Sequence, residues 1–194
     1  MNIDHKLLAS AREAYLRLLD LYRPLDAQIS AAEPNWDPQD HFCTHLAALC
    51  ADTALVMLGA DHELSEPELV AFNTLFALHE TPQSLASMAE WISQREVAEA
   101  EFFNRLDRFM LSSSLVDARS GSQRTLEVLD FFKSLGQLVA LIDERYHQSE
   151  DHFYRQLCER IEASWQQVDN FVHEAEPALV LDLRNGSQSL YRLA

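Results

Sequence analysis

Carboxylates recur at one spacing in this chain. Asp61-His62-Glu63-Leu64-Ser65-Glu66-Pro67-Glu68 and Asp143-Glu144-Arg145-Tyr146-His147-Gln148-Ser149-Glu150 each open on Asp and reach Glu seven residues later. Such oxygen-rich loops suit hard divalent cations, and calcium takes about six to eight oxygen ligands. Twelve positions counted from Asp61 end at Phe72, and from Asp143 at Tyr154, where an EF-hand needs a bidentate Glu. Neither loop is therefore an EF-hand. A cation here needs both loops together, or ligation by backbone and water.

Other groups with chemical potential are sparser. His41 and His45 stand one helical turn apart, with Asp37 before and Asp52 after, a spacing that can put two imidazoles on one metal. The metalloprotease pattern needs Glu directly after the first His, and Phe42 occupies that place; a surface His pair is the commoner outcome. Glu144 and His147 form one Glu-x-x-His, whereas a di-iron bundle needs two such pairs and two further Glu residues. No Gly-x-Ser-x-Gly, phosphate-cradling Gly loop or Cys–His signature is present. Cys43, Cys50 and Cys158 fall in helical patterns and read as small buried apolar groups in a reducing compartment.

The elements that carry these groups read as helices throughout. Gly is scarce at 4 residues and Pro modest at 6, which disfavours sheet and its turns. A first helix shows an apolar stripe through Ile3, Leu7, Ala11, Tyr15, Leu18 and Tyr22, with Pro24 expected to bend or end it and a continuation through Leu25 and Ile29 reaching the break at Pro34. Asp37-Pro38 reads as the start of the next, with Phe42, Leu46, Leu49, Thr53, Val56 and Ala60 on its face. Ser65 and Glu68 have capping-box spacing, and Thr81-Pro82 opens another helix through Leu85, Met88 and Ile92. Phe102, Leu106, Phe109 and Met110 mark a further helix, and Ser112 to Ser122 reads as the loop between two halves. Leu126 to Ile142 and Phe153 to Val172 give two more apolar stripes. From Pro177 the periodicity stops, and Ala178-Leu179-Val180-Leu181 reads as an arm for the bundle or a partner.

Shifted so that Asp61 falls on Asp143, the chain resembles itself: Leu55 to Asp61 aligns with Gln137 to Asp143, and Leu75 with Leu157. In both copies an apolar helix ends on acid. A helix C-terminus carries partial negative charge, so Asp61, Glu63, Asp143 and Glu144 are locally unfavourable there. The compensating cation is a metal ion or an Arg such as Arg145. Glu68 and Glu150, at helix N-termini, are explained by capping alone.

Ala60 to Glu68 resembles the acidic loop of TerB-like proteins, named for bacterial tellurite resistance, except that His62 stands where that loop has Gly. The likeness covers roughly Phe42 to Trp165, and in the second loop Glu144 replaces the Gly. It implies an all-α fold: a single bundle of about seven helices with two related helix–loop–helix halves. It also implies Asp61, Glu68, Asp143 and Glu150 as candidate ligands of a divalent cation such as Ca, Mg or Mn. The expected organisation is an N-terminal helical extension over 1–36, the TerB-like domain over 37–176 and a C-terminal arm over 177–194. The expected function is non-enzymatic, in stress response through contacts with an unknown protein partner, with a homodimer open. The alternatives are a metal-independent acidic interaction scaffold and, behind it, a metal-dependent hydrolase or oxidase.

Charge narrows the partners. With 31 Asp and Glu against 15 Lys and Arg, the formal net charge is −16, which disfavours nucleic acid and anionic membranes. No apolar run approaches the roughly 20 residues of a membrane span, and residues 1–6 lack a signal-peptide pattern, so a soluble cytosolic protein is expected.

Overall fold

A computed structural model describes residues 5–58, 65–84, 87, 95–142 and 148–174. Among them are six α-helices, a helical stretch at 82–84 and 87, a single 3-10 turn and no strand. The six are α1 (His5–Ala32), α2 (Phe42–Leu58), α3 (Glu66–Phe76), α4 (Arg95–Ser120), α5 (Arg124–Ile142) and α6 (Gln148–Glu174), with the 3-10 turn at Pro38–Asp40. The all-helical expectation holds. None of these helices is long and apolar enough to cross a membrane.

α2 and α5 pack against each other at the centre. α1 lies on α2, α3 and α5, while α4 lies on α2, α5 and α6. The central position of α2 explains its residues: Thr53, Ala54, Leu55, Val56, Met57 and Leu58 are all buried, so no polar face survives there. The 1–36 segment contributes Leu8, Tyr15, Leu18 and Tyr22 to the same core. Leu8, rather than Leu7, continues the buried stripe of α1, and Leu7 is 42% exposed. Rings link the layers. Tyr22 stacks on Phe42 at 5.7 Å and meets Phe109 at 5.5 Å, joining α1, α2 and α4. Phe102 and Phe103 enclose Phe153 at 5.5 and 5.6 Å, joining α4 to α6.

Two local expectations need correction, and a third loses one of its alternatives. Pro24 does not end α1, which continues through Leu25 and Ile29 to Ala32 as expected. Pro24 leaves the Asp20 carbonyl without its helical N–H, and one residue on, the Leu21 carbonyl accepts from Arg124 Nε at 3.1 Å. Asp37-Pro38 caps the 3-10 turn instead of α2, since Asp37 Oδ1 accepts from Gln39 N at 2.9 Å and His41 is extended. Ser112 to Ser120 is the last part of α4, and only Gly121 to Gln123 forms the loop. Those serines are small, and Ser112, Ser113 and Ser114 are buried where longer side chains would hold the helices apart.

Helix ends follow chemistry where it is local. Ser65 caps α3 in a complete capping box with Glu68. Thr81 Oγ1 accepts from Ser84 N at 3.2 Å and Ser84 Oγ from Thr81 N at 2.9 Å, where residues 82–84 begin the expected helix. Ser87 is helical too, and the rest of that helix lies outside the described residues. α3 closes on Ala77 at φ +56°, a left-handed position held by N–H bonds from Ala77 and Leu78 to the Asn73 carbonyl.

Candidate functional site

Of the four candidate ligands, Asp61 and Asp143 lie outside the described residues. Glu150 is the third residue of α6, with its side chain outside the described set. Glu68 is described and buried at 7% exposure. Its Oε2 accepts from Ser65 N at 2.6 Å, and its own N–H donates to Ser65 Oγ at 3.4 Å. The carboxylate thus satisfies a helix N-terminus, where negative charge is favoured by the dipole. A cation bound there would have to share that oxygen or use the other one.

The His41/His45 pair is reached from three elements. The His41 ring lies on Trp36 at 4.6 Å, and its Nε2 is 3.4 Å from Ser30 Oγ on α1. His45 follows one turn into α2, half-buried, with its N–H on the His41 carbonyl at 3.1 Å. Burial lowers the His45 pKa and Arg105 adds to this, against the opposing pull of Asp40 and Asp26. The acids that the spacing brought near the pair are otherwise engaged. Asp37 caps the 3-10 turn, and Asp52 pairs with Arg105 of α4 at 2.5 Å. Among the described residues no three His, Cys, Asp or Glu side chains converge to hold a metal ion.

Two aspartates carry more of the structure than their sequence positions announce. Asp26 on α1 is 5% exposed and accepts from Phe42 N at 2.8 Å and Cys43 N at 3.0 Å, so it caps α2 from a neighbouring helix. Asp117 on α4 is 4% exposed; its Oδ2 accepts from Thr125 N at 2.7 Å and Thr125 Oγ1 at 2.9 Å. Its Oδ1 accepts from Ser122 Oγ at 2.6 Å and Arg124 Nη1 at 3.3 Å. Because the Thr125 hydroxyl is spent on Asp117, Ser113 donates to Thr125 at 2.8 Å, and Tyr22 donates to Ser113 at 2.5 Å. The result is a directed chain of hydroxyls from the wholly buried Tyr22 to a carboxylate, tying α1, α4 and α5 together. A signal for both was present in the sequence: Asp26 follows Tyr15, Leu18 and Tyr22 on an apolar stripe, and Asp117 follows Met110 and Ser113 at helical spacing.

The cysteines are not poised as nucleophiles. Burial, with Asp26 beside it, pushes the Cys43 thiol up to about 12, and its Sγ donates to the Leu19 carbonyl at 3.3 Å. Burial also raises Cys50, which is wholly enclosed, and Cys158.

On the α1–α5 side lies a groove of about 520 Å³. Leu18, Phe131, Leu135 and Leu138 form its apolar floor, with Arg17 on one rim and Glu127 and Asp130 on the other. Mixed apolar floors with a few polar rim groups are the usual form of binding clefts.

Neither a protein-family model, a curated protein nor a solved structure matches this chain.

Proposed function

We propose that the chain is a non-enzymatic helical protein of TerB-like architecture, built from two related three-helix units. In this reading its acidic loops supply a divalent-cation site, and the protein acts through contacts with a protein partner. What supports the duplication is agreement at the single offset that carries Asp61 onto Asp143. At that offset α2, beginning at Phe42, falls on α5, beginning at Arg124, and the start of α3 at Glu66 falls on the start of α6 at Gln148. Buried positions recur at the same interval: Leu46 with Val128, Cys50 with Phe132, Met57 with Val139, Ala71 with Phe153 and Leu75 with Leu157. α1 lies on α2 and α3 as α4 lies on α5 and α6, with α2 and α5 in contact between them. Asp61 and Asp143 each follow just beyond one of the central helices. The stress-response role implied by the family likeness belongs to this proposal.

The test is titration calorimetry of the full chain with Ca²⁺, Mg²⁺, Mn²⁺ and Zn²⁺. Binding in the micromolar range, within the span that oxygen-ligand loops reach, is expected for at least one ion. It should vanish when Asp61→Asn and Asp143→Asn are combined. Absence of binding heat with all four ions would end the cation reading. Glu68→Gln keeps the capping geometry while removing the charge, so unchanged affinity in that variant assigns Glu68 to the helix cap alone.

A second reading, a metal-independent acidic scaffold, is favoured by the engagement of Glu68 in its capping box. It predicts a partner whose binding ignores chelators and weakens with salt, as the net charge of −16 requires.

A further inference from the structure

The groove between α1 and α5 has a counterpart that is filled. Across the α2–α4 contact Asp52 and Arg105 form an ion pair. Ser134 follows Asp52 by the interval that separates Asp61 from Asp143, and Ala14 precedes Asp26 by the interval that separates Arg105 from Asp117. Both Ser134 and Ala14 line the groove. Two short side chains therefore stand where the other helix pair carries a carboxylate and a guanidinium, and the space between them is left open. Leu21 on its edge is 37% exposed, and Leu7, two turns before Ala14 on the same helix face, is 42% exposed.

We propose that this groove is the docking site of the chain's own C-terminal segment, Pro177 to Ala194, which lies outside the described residues. Three observations select that occupant. The first is the path of α6. Tyr154 lies beside Gly136 and donates to the Lys133 carbonyl at 3.0 Å, while Glu162 meets Lys133 Nζ at 2.7 Å, so α6 runs antiparallel to α5. Its end at Glu174 is therefore on the Arg124 side of α5, the end from which Glu127, Asp130 and Phe131 open the groove. The second is length. The groove-lining stretch of α5 from Glu127 to Leu138 rises about 16 Å at roughly 1.5 Å per residue. Ten extended residues after Glu174 span up to about 33 Å, enough to turn back and cover it.

The third is chemistry. Leu179, Leu181 and Leu183 would share one face of an extended chain, and from Leu181 to Arg184 apolar and charged residues alternate, while Val180 is apolar on the other face. The leucine face matches the floor of Leu18, Leu135 and Leu138. Asp182 and Arg184 share the other face, and Arg184 is the charge complement of Glu127 and Asp130 on the α5 rim. The docking does not depend on a cation; its comparison of the two helix pairs rests on the duplication proposed above, and the test below leaves that duplication untouched.

The experiment places a benzophenone amino acid at Ser134 of the full chain, irradiates dilute protein and maps the product by mass spectrometry. A cross-link within one chain to residues 179–184 is the expected result. A cross-link to a second copy, to any other segment, or to none overturns the proposal. Glu127→Arg with Asp130→Arg should lower the yield roughly fivefold, the effect of about 1 kcal/mol, and adding Arg184→Glu should restore it. A yield indifferent to both changes would also overturn it. Melting curves of each variant, matched to the parent, exclude loss of fold as the cause.

Discussion

Asp117 stands to Thr125 as Asp26 stands to Cys43: each carboxylate reaches from one helix to the backbone N–H in the first turn of the next, at 2.7 and 3.0 Å. Cys43 and Thr125 are also equivalent positions, separated by the same interval as Asp61 and Asp143. An orphan N–H at a helix start is ordinarily satisfied by a side chain just before it. Here the central helices α2 and α5 start inside the bundle, so buried acids on the packed neighbours serve them. The same contacts fix where α1 crosses α2 and where α4 crosses α5.

The two aspartates should differ in what their loss costs. Asp26→Ala removes the acceptor of two amides and should lower stability by about 1–2 kcal/mol, the range of a helix cap. Asp117→Ala strips the acceptor from an amide, two hydroxyls and a guanidinium at once. It should cost about 3–4 kcal/mol, since each buried donor left without a partner adds its own penalty. Urea denaturation of both variants measures this. Equal losses would show that the hydroxyl chain from Tyr22 adds nothing to the cap.

The helices themselves were readable because their signals are local. The Ser65–Glu68 box and the stripe through Phe42, Leu46, Leu49, Thr53 and Val56 lie within a few turns of sequence, and the repeat needs only such short stretches to be compared. The caps of α2 and α5 were not readable that way, because Asp26 is 16 residues before Phe42 and Asp117 is 8 before Thr125. The serines after Met110 misled for a related reason. Serine signals a loop when water or local backbone takes its hydroxyl; Ser113 instead gives its proton to Thr125 across the core. Of the candidate ligands, only the capping role of Glu68 could be read directly, since its partner Ser65 is three residues away.

Two backbone positions favour glycine over alanine, one by packing and one by conformation. A Cβ at Gly136 would overlap the Tyr154 ring where α5 and α6 cross. Gly136→Ala should therefore displace that ring, break its bond to the Lys133 carbonyl and cost about 1–3 kcal/mol, as overpacked cores do. Ala77 has the reverse problem, since its φ of +56° is one that a residue with Cβ resists. Ala77→Gly should raise stability by about 0.5–1 kcal/mol, the strain relieved less the added freedom of the unfolded chain. Thermal melts of the two variants moving in opposite directions confirm both positions; a stabilised Gly136→Ala would contradict the helix crossing.

Cys43 ties stability to alkaline pH. Its folded-state pKa of about 12 lies above the ordinary 9.0 because burial and the adjacent Asp26 disfavour the thiolate. Between those values the folded chain keeps a proton that the unfolded chain has lost. The Cys43 contribution is therefore full below pH 9 and falls as pH rises toward 12. Cys43→Ala should make this limb shallower in denaturation curves run from about pH 8 to 10.5, leaving the share of Cys50 and Cys158, whose thiols burial also raises. Native protein at about pH 8 should also react with a thiol reagent at Cys43 only after urea is added, and prompt labelling of Cys43 would refute the burial argument.

His45 acts on the acid side. Burial, reinforced by Arg105, holds its folded pKa below 6.5, while Asp40 and Asp26 pull the other way without prevailing. Above 6.5 the imidazole is neutral in both states, and its contribution is complete. As pH falls through that value the unfolded chain takes up a proton that the folded chain refuses, so stability declines until the folded pKa is passed. His45→Gln should remove this slope between about pH 7 and 5. Asp52 does not mimic the effect, because burial raises its pKa from 3.8 despite Arg105, and its contribution falls as pH rises, the opposite sign. The check is the difference in urea midpoint between parent and His45→Gln at about pH 7, 6 and 5. A difference that shrinks steadily toward acid supports the assignment, and one that is constant across the series rules it out.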